Sequence, residues 1–283
     1  MSEAGRYLRP IFKYLKSKGL TLFLLALGPS FLAAFLISPS SLLYFLCDYF
    51  ELENYRFTNV FTRMFNFNSE FYYVGIIGLV LFIFVIAILF GIIDRHMRIG
   101  DFTLNPSKVK KRINYNFLTA LKLVLVGGVV FELYNLLNAF FAVMWAGTFD
   151  SLIASFVFSL VTFAILTFLL LLLFTSMILW CPFMLHTGMG TGEALRTAFR
   201  QNSRNVKRLA GIMTLALLPL MLIMLLSALL GWGMWVRIVL DGTCLAVLTV
   251  VYLVAMYTVF YDVTGVERLD LQIVDIWSKK KGV

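Results

Sequence analysis

The chain has 283 residues, 61% of them hydrophobic and only 14% charged, with a formal net charge of +9. A soluble domain carries about 25% charged residues, so composition excludes an ordinary soluble protein, and several apolar runs reach the roughly 20 residues that cross a bilayer. The basic balance then speaks for anionic lipid and the positive-inside rule instead of nucleic acid, and Cys47, Cys181 and Cys244 form no C-x-x-C pair that would set up a disulfide framework or a zinc site.

The expected fold class is all-α: a polytopic membrane protein with six transmembrane helices and three basic interfacial helices. No period-2 alternation of a membrane barrel is present. Residues 6–18 make the first basic helix, with Leu8, Ile11, Phe12 and Leu15 on one face and Arg9, Lys13 and Lys16 opposite. The first span follows at 19–37 and contains Gly28-Pro29, a kink signal. The basic region before it is long and no small-x-small site follows, so the segment reads as a span and not as a cleaved signal peptide. Residues 38–71 form a long loop rich in aromatics, consistent with an interfacial belt or with a lid over an apolar pocket. Phe57, Val60, Phe61, Met64 and Phe65 suggest a short amphipathic helix within it.

The second span covers 72–93 and runs into D-R-H-M-R-I-G-D. Asn105-Pro106 then reads as N-cap and first residue of the second basic helix. Lys108, Lys111, Arg112 and Lys122 oppose an apolar face of Val109, Ile113, Phe117, Ala120 and Leu121. That helix continues into the third span, 118–146. After a tight turn the fourth span runs over 151–180. Ser151, Ser155 and Ser159 recur every fourth residue and face Ala139, Ala142 and Ala146, a small-residue surface that predicts a close hairpin in lipid.

The third basic segment follows a loop carrying Gly188, Gly190 and Gly192. Placed on one helix, 194–209 sets Leu195, Ala198, Phe199, Val206 and Leu209 against Arg196, Arg200, Arg204, Lys207 and Arg208. An apolar face opposite a cationic face marks a helix lying among headgroups. Thr191 is the expected N-cap, and Asn202 falls on the apolar side, where burial demands a polar partner. The fifth and sixth spans cover 210–230 and 234–261, and a basic tail occupies 266–283. The domain is single, with units 6–93, 105–180 and 192–261 in a loose threefold topological repeat. Residues 6–18, 95–112 and 196–208 and the tail carry 20 of the 24 lysines and arginines, which predicts that both termini are cytoplasmic.

The segment G-E-A-L-R-T-A-F-R-Q-N-S-R-N-V-K-R-L (192–209), and in the same vein N-P-S-K-V-K-K-R-I-N-Y-N-F (105–117), resembles uncharacterised bacterial six-span families. These include the YesL-like proteins and the membrane domains found with glycerophosphodiester phosphodiesterases. The resemblance implies a bacterial cytoplasmic membrane protein and transfers no catalytic residue.

Three classes of function are open at this point. The first is a non-enzymatic accessory, scaffold or lipid-interacting component, with anionic headgroups and a further membrane protein as its partners. The second is a small proton- or ion-coupled transporter using Glu132 at mid-depth of the third span with Asn135 and Asn138 beside it, since an intramembrane carboxyl marks a functional site by default. Arg237 and Asp241 form an i, i+4 pair near the outer end of the sixth span. The third is an enzyme whose His96, His186, Asp94 and Asp101 converge on a metal. Neither histidine has the spacing of a metal motif, and the glycine loop follows a span instead of a strand, so no catalytic residue and no cofactor are assigned. A lipid phosphate is the natural occupant of that loop and helix start.

Overall fold

The computed structural model describes residues 5–48, 71–102 and 106–270. Helices α1 (Gly5–Tyr14), α2 (Leu20–Ala33) and α3 (Ser41–Asp48) precede α4 (Tyr72–Ile99), α5 (Pro106–Thr148) and α6 (Leu152–Ser176). The chain ends in α7 (Trp180–Thr187), α8 (Thr191–Asn202), α9 (Val206–Leu229) and α10 (Met234–Thr264). Among the described residues there is no strand. Helices α2, α4, α5, α6, α9 and α10 pack in chain order, each on the next, and α10 returns onto α2 to close the ring. The α5–α6 and α9–α10 turns and the start of α3 lie at one end, called the far end. Helices α1, α7 and α8 lie at the other, called the basic end.

Two hydrophobic clusters fill the bundle. One joins α1, α2, α4, α7, α8 and the second half of α10 around Phe90, Trp180 and Tyr257. The other joins α3, the far half of α5, α6 and α9. The outward faces of α4, α5, α6 and α9 remain apolar and exposed, as at Ile77, Leu133, Ile165 and Leu218. Such a surface needs lipid to cover it.

Five helices are long and apolar enough to cross a membrane: Tyr72–Ile99, Ile113–Thr148, Leu152–Thr187, Val206–Leu229 and Met234–Thr264. The chain therefore has the makeup of a multi-pass membrane protein. The expected first span is the exception. Helix α2 has 14 residues, a rise of about 21 Å, against a hydrocarbon core of about 30 Å. It is continued backwards by a π-helical turn, Leu15–Gly19, and then by α1. Its far end stops at Ala33 because the chain at Ser38–Ser40 is drawn onto Asp241, as described below.

Close helix contact comes from glycine. Gly75 and Gly78 of α4 lie against Leu36 and against Leu32–Ala33, and Gly242 of α10 lies against Phe31. The end of α2 and the turn after it are thus held between glycine notches in α4 and α10. The expected α5–α6 hairpin forms as the serine and alanine spacing predicts. Ala139, Ala142, Ser155 and Ser159 are buried, and Trp145 Nε1 donates to Thr162 Oγ1 at 2.9 Å.

The three basic segments take three different local forms. In α1 the buried face is Tyr7, Ile11 and Tyr14, while Leu8 and Phe12 are exposed. Of the expected apolar face Ile11 is buried while Leu8 and Phe12 are exposed, and Tyr7 and Tyr14 take the inward positions beside Ile11 through hydrogen bonds to Asp262 and His96. The second segment is no separate helix, since Pro106–Thr148 runs as one helix of 43 residues. Lys108, Lys111 and Arg112 sit in its first turns, and their side chains lie outside the described residues. The third segment is broken: α8 ends at Asn202 and α9 starts at Val206. Asn202 causes the break. It is buried, and its Nδ2 donates to the Thr175 carbonyl at 2.5 Å, which fixes the end of α8 onto α6. The aromatic loop helix at 57–65 and the tail beyond Asp270 also lie outside the described residues.

Candidate functional site

Polar side chains gather at the two ends of the bundle and at one level between them. At the far end the centre is Asp241, which is 1% exposed. Its carboxylate accepts from Ser38 Oγ at 2.5 Å, from Ser40 Oγ at 2.9 Å and from the Ser40 backbone N–H at 3.0 Å. Arg237 approaches to 3.8 Å. Its guanidinium also donates to Ser38 Oγ at 2.9 and 3.2 Å. The Ser38 hydroxyl therefore accepts from the cation and gives its one proton to the anion. Arg237 further stacks over Tyr44, 5.1 Å from the ring centre, and the Tyr44 hydroxyl meets Ser227 Oγ at 2.5 Å. The expected Arg237–Asp241 pair is thus part of a network that ties α10 and α9 to the start of α3. A buried carboxylate persists here because both of its oxygens accept hydrogen bonds and a cation lies beside it.

At the basic end Asp94 and His186 do meet. His186 Nε2 lies 3.1 Å from Asp94 Oδ1, and the Tyr261 hydroxyl donates to the same oxygen at 2.5 Å. Arg98 lies 3.7 Å from the other oxygen. The His186 ring stacks on Phe260 at 4.9 Å. Helices α4, α7 and α10 are pinned together at this point, and α7 is held to α5 by the Tyr115 hydroxyl on the Leu185 carbonyl at 2.8 Å.

The other two residues expected to join this cluster go elsewhere. His96 Nδ1 takes the Tyr14 hydroxyl at 3.2 Å, and Asp101 pairs with Arg95. Burial pushes the Tyr14 phenol above its ordinary range, the Asp270 carboxylate adds to this, and Arg268 offsets part of it. Tyr14 therefore stays a neutral partner for His96. Among the described residues no group of three His, Cys, Asp or Glu side chains is placed to hold a metal ion.

At mid-depth of α5, Glu132 is half-buried, and Asn135 and Asn138 are buried. Asn138 Nδ2 donates to the Tyr134 carbonyl of its own helix at 2.9 Å, while the Tyr134 hydroxyl reaches Thr167 Oγ1 on α6 at 2.9 Å.

The cationic surface sits on α8 and beyond it. Ala194, Ala198 and Asn202 face inward, with Arg196, Arg200, Arg204 and Lys207 exposed and Arg208 half-buried. Gly188, at φ 69°, ends α7 in the left-handed region that favours glycine and so frees the chain to turn into α8. Thr191 is not the N-cap: that position is Gly190, with no side-chain cap. The Thr191 hydroxyl instead accepts from Lys122 Nζ at 2.7 Å, and its carbonyl accepts from Trp180 Nε1 at 3.0 Å. The loop is thereby fastened to both neighbouring spans.

Ser38, Ser40, Tyr44, Ser227 and Tyr261 belong to these networks and were not singled out by sequence reasoning. Ser38-Pro39-Ser40-Ser41, a polar patch beside a span, was the available signal for the first two. No protein-family model, no curated protein and no solved structure matches the chain. The class defined by fold and composition is thus a multi-pass helical membrane protein.

Proposed function

We propose that the chain is a non-enzymatic, lipid-interacting component of the bacterial cytoplasmic membrane, a single integral domain that binds anionic headgroups at its cytoplasmic face. In this reading the π-helical turn and α2 together make a sixth crossing, and both termini are cytoplasmic. The observation that carries it is α8: Ala194, Ala198 and Asn202 are packed down while Arg196 and Arg200 are exposed, with Arg204 and Lys207 continuing the exposed charge. That arrangement supports a helix seated in the headgroup layer. Lys108, Lys111, Arg112 and Arg208 add to the same side of the membrane. A membrane protein partner would approach along the apolar outer faces.

Each cation near an anionic surface contributes about 1 kcal/mol. Replacing Arg196, Arg200, Arg204, Lys207 and Arg208 by glutamine should therefore strip most co-purifying phosphatidylglycerol and cardiolipin, as quantified by mass spectrometry of the detergent-solubilised protein. High salt should do the same to the unmodified protein. An unchanged anionic lipid complement in the five-fold variant would contradict the proposal.

One observation favours coupled transport as a second reading. The Asn135 amide nitrogen, one turn from Glu132, is buried with no hydrogen-bond partner among the described residues. On that reading Glu132→Gln folds normally, keeps its lipids and loses a pH-dependent flux.

A further inference from the structure

Helix α3 is too short to cross a membrane, and it lies at the far end of the ring, where α2 has already stopped at Ala33. It packs on α9 and α6. Leu43 and Phe45 are buried in the cluster that also holds Tyr134, Ala139 and Phe163 of the α5–α6 hairpin. The two attachments of α3 differ in kind. Ser38 and Ser40, just before the helix, make three hydrogen bonds to the buried Asp241. Tyr44, in its first turn, holds by its hydroxyl on Ser227 Oγ at 2.5 Å and by its ring under Arg237, which is half-buried. The first attachment is an anchor on a charged group. The second is a latch of one neutral hydrogen bond and one cation–π contact.

Inward of α3 the hairpin carries polar groups that the bundle leaves unmet. Ser159 Oγ, about 10 Å in from the start of α6, is buried without a hydrogen-bond partner among the described residues. Thr162, Thr175 and Ser176 of the same helix each donate to the carbonyl four residues back, and Ser159 forgoes that bond. Asn135 Nδ2, about 20 Å in from the end of α5, is likewise buried and unpartnered. An unmet polar group in a closed interior is destabilising, and ordered water is what satisfies such groups. Toward the basic end the cluster around Phe90, Trp180 and Tyr257 closes the bundle, and the outer faces meet lipid. The remaining approach is from the far end, past α3.

From this arrangement we infer that α3 is a hinged plug: anchored at Asp241, it turns outward when Tyr44 leaves Ser227 and Arg237, and it admits water to Ser159 and Asn135 in the α5–α6 hairpin. The plug is independent of the headgroup reading of α8. It supplies an aqueous route for the transport reading without resting on Glu132.

The test uses the full chain in nanodiscs of phosphatidylethanolamine and phosphatidylglycerol, exposed to a small charged methanethiosulfonate, with labelling quantified at each cysteine by peptide mass spectrometry. Ser159→Cys is a near-isosteric reporter at the site. Native Cys244, one turn from Asp241 and beside the anchor, and native Cys181, in the basic-end cluster, are buried internal controls. With Tyr44 intact the reporter should react slowly. Tyr44→Phe, which keeps the ring under Arg237 and loses the hydroxyl, should speed its labelling about tenfold, the scale of one hydrogen bond. Tyr44→Ala should speed it further, and Cys244 and Cys181 should stay shielded in both variants. The five-fold α8 variant should leave all of these rates unchanged, so the two proposals fail separately. A reporter that stays shielded in Tyr44→Ala, one that reacts as fast with Tyr44 intact, or labelling that rises at Cys244 and Cys181 as well would overturn the hinged plug.

Discussion

Asp241→Ala should lower the stability of the bundle by about 3–5 kcal/mol, the range for breaking a buried charge network from one side. The loss does not come from the Arg237 contact alone, which is long at 3.8 Å. Removing the carboxylate leaves the Ser40 N–H and the Ser38 and Ser40 hydroxyls without their acceptor, and leaves Arg237 without its anion. Each buried donor left unmet costs about 1–3 kcal/mol. The start of α3 should come loose first, since the Ser40 N–H holds it to α10. Thermal unfolding in detergent, followed by circular dichroism, reads the effect. The companion variant Arg237→Met/Asp241→Leu removes both charges and fills the space with apolar atoms, so it should recover a large part of the loss. A double variant no more stable than Asp241→Ala would mean that the hydroxyls, not the charges, carry the network.

Gly78→Ala should be the most damaging of the single-methyl additions. The new carbon would sit 2.2 Å from the Leu32 carbonyl carbon and 2.3 Å from the Ala33 nitrogen. Both are backbone atoms within a helix, so no rotamer change relieves the contact and the two helices must separate. Overpacking of this kind costs about 1–3 kcal/mol, and separation also loosens Gly75 against Leu36. Gly242→Ala should fall in the same range, with its added carbon 2.1 Å from Phe31 Cδ1 and 2.8 Å from Phe31 Cα. Gly128→Ala and Gly211→Ala are the internal controls, because nothing lies within 4 Å of either added carbon and neither precedes a proline. On helix propensity alone these two should be neutral or slightly stabilising. Equal unfolding temperatures for all four variants would refute the notched packing of α2.

How much of this was readable beforehand follows from the range of each interaction. Local periodicities carried the all-helical class, the apolar spans and the α5–α6 hairpin, where Ser155, Ser159, Ala139 and Ala142 are all buried. The need of Asn202 for a partner was also readable, because its neighbours on the helix face are apolar. What its partner does to the chain was not: an anchor on Thr175 ends a helix that periodicity alone would continue to Leu209. The inward place of the α1 tyrosines was not legible for a related reason. Hydropathy ranks Leu8 and Phe12 above Tyr7 and Tyr14, yet the tyrosines are the ones that Asp262 and His96 hold inward. The Asp241 network joins residues 201 and 203 positions apart and Asp94 reaches Tyr261 across 167, and no spacing rule reaches across such distances. Gly75, Gly78 and Gly242 look like defects in their helices until the backbone of α2 is placed against them.

On the proposed reading the basic end of the bundle faces the cytoplasm, and the π-helical turn with α2 completes a sixth crossing. Single cysteines in a background free of Cys47, Cys181 and Cys244 test it, with an impermeant thiol reagent applied to intact cells. Asp150 and Trp232 are exposed at the far end, and Ser203 is exposed between α8 and α9. Cysteines at Asp150 and Trp232 should be labelled. Cysteines at Ser203, Ser2 and Lys281 should be shielded until the cells are opened. Labelling at Ser203 with protection at Asp150, or a Ser2 position that labels while Ser203 is shielded, would contradict the account.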